Sequence, residues 1–140
     1  MGSADMPIVL PPSERCSPVE LALRASAGNI DDQARAWIAA AFVRFQRGEA
    51  LERAFGLDRA SRIRARDAAL VRAAAVLAPA PSTWALAVRL AGAVRRFEVR
   101  VAPRLAPGAE LPPLDDALRT AFAASVGVPS SARALYDLLC

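Results

Sequence analysis

The sequence predicts an all-α protein, a small bundle of about six or seven short-to-medium helices containing a helix-turn-helix-like unit. Three observations carry that prediction. Alanine, the strongest helix former, accounts for 33 of the 140 residues. Apolar residues recur at three- and four-residue spacings through most of the chain. Helix start and stop signals punctuate it at intervals too short for long rods.

Residues 1–16 read as a flexible arm, because Pro7, Pro11 and Pro12 remove amide donors and favour extended backbone. Residues 17–140 read as one helical domain. Ser17 is an N-cap, Pro18 takes the first helical position and Glu20 completes a capping box, so a helix is expected over about 18–27, ended by Gly28-Asn29. Asp31 or Asp32 caps the next, about 32–47. Its apolar side is Ile38, Phe42 and Phe45, flanked by Trp37 and Ala41, and Arg47-Gly48 closes it. A short helix over about 49–56 presents Leu51, Ala54 and Phe55. Asp58 caps a longer one, about 59–77, with a stripe of Ile63, Leu70, Ala74 and Leu77.

The run Ala78-Pro79-Ala80-Pro81 breaks the pattern and Ser82 restarts it. The apolar side of this fifth helix is either Trp84, Val88, Ala91 and Val94, or Leu86, Leu90, Val94 and Phe97. Phe97-Glu98-Val99-Arg100-Val101 alternates with the period of a strand, yet a lone strand lacks a partner, and continued helix is the favoured reading. Residues 102–113, with four prolines, form the longest internal loop. Asp115 and Asp116 then mark a first turn, Leu118, Phe122 and Val126 line a face, and Gly127-Val128-Pro129 ends the helix. Ser130 or Ser131 caps the last one, which carries Ala134, Leu135, Leu138 and Leu139. ALERAFG (50–56) faintly echoes ALRTAFA (117–123), a similarity that chance explains well in a chain of this composition.

Alanine offers little area to bury, so the core must lean on the larger side chains: Trp37, Phe42, Phe45, Phe55, Trp84, Phe97, Phe122, Tyr136 and the aliphatic residues between them. A core this thin favours self-association, because a second subunit supplies apolar area.

Chemistry is marked mainly by what is missing. The chain has no histidine, so the usual general base and metal ligand is absent, and neither a phosphate-binding loop nor a dinucleotide fingerprint occurs. Asp31-Asp32 and Asp115-Asp116 sit where helix caps belong. Cys16 and Cys140, the only cysteines, have no metal-binding spacing and read as free thiols. No enzyme, cofactor, metal or small-molecule substrate is expected. Neither a charge-free run of membrane-spanning length nor a secretory leader is recognised, so a cytoplasmic protein without a membrane partner is expected.

The positive signal is arginine. All 18 basic residues are arginine against 14 acids, a net charge of +4. Residues 35–72 hold nine arginines against four acids, a local excess of five. Arginine suits bidentate contacts to phosphate and guanine, although a lysine-free, alanine-rich chain also follows from base composition alone. In the segment 45–74 a short helix, a turn at Gly56 and a basic helix follow one another. AFGLDRASRIR resembles the helix-turn-helix stretches of bacterial regulators and phage DNA-packaging proteins. It departs from them at Glu52, where a small residue is usual, and at Ile63, one position late. The resemblance implies that residues just after the turn contact duplex DNA: Arg59, Ser61 and Arg62, joined by Arg66 on the same face and by Arg64 toward the backbone. The alternative is a non-catalytic helical interaction or assembly module, a homo-oligomer or protein partner docking on the Trp84–Val94 stripe or around Leu135 and Leu138.

Overall fold

The computed structural model describes residues 16–140; the arm expected over residues 1–16 lies, apart from Cys16, outside them. The described residues are helical and contain no strand. Six helices have eight or more residues: α1 (Pro18–Ser26), α2 (Asp32–Gln46), α4 (Arg59–Leu77), α5 (Thr83–Arg96), α6 (Pro113–Ala123) and α7 (Ala132–Leu139). Between α2 and α4 lies α3 (Leu51–Ala54), a single turn where a longer helix was expected.

The caps explain why the helices begin where they do. Side-chain oxygens of Ser17, Asp31, Asp58, Ser82 and Ser131 each accept from the backbone N–H three residues on. Of the paired candidates, Asp31 rather than Asp32 caps α2, and Ser131 rather than Ser130 caps α7. Gly28 and Gly48 take positive φ just past α1 and α2, where an L side chain is disfavoured.

Phe97–Val101 continues α5 as a wider π turn, and Ala102–Arg104 follows as a tight 3-10 turn. The helical reading of this segment therefore holds. Pro103 explains its geometry: proline has no N–H to offer the carbonyl four residues back, and the ladder widens ahead of it. The expected loop 102–113 is correspondingly shorter, since its first three residues are helical and Pro113 opens α6.

The core is built around α4, which packs on α6 and α5, while α5 packs on α7. The largest fully buried side chains are Phe97, Leu70, Leu90, Leu118, Leu135 and Val94. Ala69, Ala73, Ala87 and Ala121 are buried among them. Such small residues let helix axes approach closely, so modest area is converted into dense contact. Phe97 stacks on Phe122 with ring centroids 5.3 Å apart. Of the two stripes weighed for α5, the one through Leu90, Val94 and Phe97 is inward. Trp84 and Val88 face out, with the Trp84 ring edge-on to Tyr136.

The region α1–α3 is assembled differently. Arg24 ties α1 to α2 through Asp31 Oδ2 (3.3 Å) and Gln33 Oε1 (3.2 Å). Trp37 Nε1 donates to the Phe55 carbonyl at 3.0 Å, and the Phe55 ring meets both Trp37 and Phe42 edge-on. The expectation that Phe42 and Phe45 belong to the core is corrected here. Only Ala34 and Ala41 of α2 are buried, because the contact with α1 and α3 is narrow and these two small residues occupy its centre.

Candidate interaction surface

The five residues expected to meet DNA are not presented on one face. Arg59, Arg62 and Arg66 lie on the same side of α4 as the buried Ala69, Leu70 and Ala73, in keeping with their three-, four- and seven-residue spacings. Beyond the first position of the helix, where Arg59 is exposed, that side faces protein, and Arg62 and Arg66 are used accordingly. Arg62 pairs with Glu52 across the turn at 3.0 Å and is 32% exposed in its side chain. Arg66, 19% exposed, reaches Asp67 and donates to the Gly127 carbonyl at 3.1 Å, tying α4 to the α6–α7 connection. Ser61 donates its hydroxyl to Asp58 Oδ1 at 2.7 Å, so it belongs to the cap.

Arg64 and Arg59 point outward. Arg64 donates to Ser61 Oγ, and the Arg59 guanidinium has no partner among the described residues. Arg44, Arg53 and Arg64 line a cleft of about 340 Å³ beside Gly56, Asp58 and Ser61 at the start of α4. Arg44 and Arg53 were not among the expected contacts. The hydrogen bonds from Ser61 hold the Asp58 carboxyl below the usual carboxylate range, so the cap stays ionised there.

Gly56 has a more definite role than a permissive turn. Its φ is +71°, and a Cβ there would lie 2.9 Å from Pro18 Cγ. The residue lets the α3–α4 turn seat against the start of α1.

The surface that sequence reasoning missed lies on α2. Phe42 is 48% exposed and Phe45 47%, with Val43 and Leu51 similarly open and Ile38 partly covered. Ile38, Phe42 and Phe45 follow a four-and-three spacing and so share one side of the helix. The available signal was breadth: the apolar residues of α2 cover more of its circumference than one narrow contact buries. The faces expected to receive a partner are divided: Ala91, Val94 and Leu135 are buried in the core, Leu138 is partly covered, and Trp84 and Val88 are each 48% exposed.

Two further features bear on chemistry. A cavity of about 560 Å³ lies between α1, residues 105–111 and α6. Its arginines, Arg24 and Arg119, are engaged with Asp31 and Asp116, and their Nε atoms are buried without a partner, out of reach of a ligand. Cys16 and Cys140 are both free thiols, and burial pushes the Cys16 thiol up, away from the reactive thiolate. No cluster of three or more metal-ligating side chains is found among the described residues, and none of the described helices is long and apolar enough to cross a membrane. Comparison of the chain with protein-family models, curated proteins and solved structures finds no match in any of the three.

Proposed function

We propose that this chain is a non-catalytic helical interaction module that works through the outer side of α2. The observation that supports the reading is the contrast within that helix: Ala34 and Ala41 are its buried residues, while Phe42 and Phe45 stand nearly half in water. Aromatic side chains are the usual anchors of protein interfaces, and a run of them at one helical face is costly to leave hydrated. The test compares wild-type chain with the Phe42→Glu/Phe45→Glu variant as bait, both for an untagged copy of the chain and for proteins of the source cell. A stoichiometric partner held by the wild type and released by the variant is the expected result. Recovery of the same proteins by both baits, or of none, overturns the reading.

Duplex DNA is the second reading, favoured by the cleft that gathers Arg44, Arg53 and Arg64 beside Ser61 and by the local arginine excess. Phosphate binding there makes affinity fall steeply with salt. Arg53→Ala/Arg59→Ala/Arg64→Ala removes outward cations and abolishes a gel shift on random-sequence duplex, whereas Arg62→Ala leaves the shift in place. Absence of any shift by the wild type at low salt excludes this reading.

A further inference from the structure

We propose that the occupant of the α2 face is a second copy of this chain, packed antiparallel about a two-fold axis near Phe42. The proposal rests on the reading of α2 as an interaction surface and names its partner.

Charge is the first argument. Residues 30–54, which span α2 and α3, carry four arginines (Arg35, Arg44, Arg47 and Arg53) against four acids (Asp31, Asp32, Glu49 and Glu52), a net charge of zero. The whole chain is +4, so the remainder carries all of it. The face that stands open is therefore the near-neutral part of a basic molecule. Two copies meet there without the repulsion that their other surfaces impose, and no strong charge selects an opposite partner.

The orientation follows from the helix ends. Asp31, Asp32 and Arg44 are paired within the chain, with Arg24, Arg35 and Glu49, so the ends of α2 carry little free charge apart from Arg47. An antiparallel pair opposes the two helix dipoles and keeps the two Arg47 side chains apart. A parallel pair aligns the dipoles and brings the two Arg47 side chains together.

Area is the second argument. A fully buried phenylalanine covers roughly 200 Å², so Phe42 and Phe45 at half exposure leave on the order of 200 Å² between them. Doubled by the two-fold axis, and widened by Ile38 and Leu51, this approaches the apolar share of an interface of roughly 1,200 Å², the lower end of the stable class. The predicted dimer is correspondingly of modest affinity.

Sedimentation equilibrium on the full chain tests the proposal. The wild type is expected to dimerise reversibly below roughly 100 µM, and Phe42→Glu/Phe45→Glu to raise the dissociation constant by at least about 100-fold with helicity unchanged. Arg35→Cys, spin-labelled in a Cys16→Ser/Cys140→Ser background, reports the orientation. An antiparallel pair separates the two labels by on the order of 20 Å or more, since each residue 35 lies seven residues from the axis, whereas a parallel pair brings them to about 10 Å. A wild type that stays monomeric, a dimer that survives the double substitution, or the short label distance overturns the proposal. If the wild type is monomeric yet captures a different protein that the double variant releases, the dimer fails while the interaction surface stands. If it captures nothing, both fall.

Discussion

Helices α2 and α5 are close in length, 15 and 14 residues, and both are rich in alanine and aromatic or aliphatic side chains, yet they bury themselves to different degrees. α5 places Ala87, Leu90, Ala91, Ala93 and Val94 inside and runs directly into the fully buried Phe97. α2 places only two alanines inside and leaves its phenylalanines at the rim. The difference comes from the neighbours. α5 lies between α4 and α7 and is covered on two sides, while among the described residues α2 is packed mainly by the short α1 and the single turn α3. Amphipathic pattern shows that a helix has an apolar side; the width of the groove it meets decides how much of that side is dry.

The largest expected effect breaks the comparison on the α5 side. Phe97 is 1% exposed and stacked on Phe122, so Phe97→Ala removes packing that nothing refills and costs about 3–5 kcal/mol in urea unfolding. A loss below about 1 kcal/mol contradicts the central place given to this ring. Gly56→Ala comes next, at about 1–3 kcal/mol, because positive φ and the Pro18 contact both oppose a Cβ. Its damage falls on the junction of α1, α3 and α4.

The other side of the comparison is sharpened by smaller changes. Trp37→Phe keeps a ring but removes the donor to the Phe55 carbonyl, a loss of about 1 kcal/mol. Hydrogen exchange is expected to quicken in α2 and α3 while α4–α7 stay protected, since the two regions share few apolar contacts. Uniform loss of protection argues for a single cooperative unit instead. Acid gives the mildest perturbation. The Asp58 carboxyl titrates below its ordinary value in the folded chain, so its contribution is present above the unfolded pKa and is lost as pH falls through the folded one. The start of α4 is expected to loosen in that acidic window, and Asp58→Asn to flatten the dependence, as read from amide exchange at Arg59–Arg62.

The helices were legible because their ends are encoded locally. Ser17, Asp58 and Ser82 need only the amides three residues on, and those amides come with the chain. Much less of the candidate surface was legible. The three-and-four spacing of Arg59, Arg62 and Arg66 correctly places them on one side of α4, but spacing carries no information about which side meets protein. Glu52 and the Gly127 carbonyl, 10 and 61 residues away in sequence, turn that side inward. The stripe of α5 was ambiguous for the same reason. Two faces fit the period, and Leu118 and Leu135 on other helices select the one through Leu90 and Val94.

The sequence by itself determined an all-α chain and most of the places where its helices begin and stop, because caps, glycines and prolines act within a turn or two of backbone; it favoured helix through Phe97–Val101 without deciding it. Only the tertiary structure decided that Arg62 and Arg66 fasten elements together, that Gly56 must be bare to admit Pro18, and that α2 shows its phenylalanines to solvent. Those outcomes depend on which surfaces lie opposite each other: the narrow contact of α2 closes on Ala34 and Ala41 and leaves Phe42 and Phe45 at its edge, whereas the contact of α5 with α4 and α7 takes in Leu90, Val94 and the adjoining Phe97.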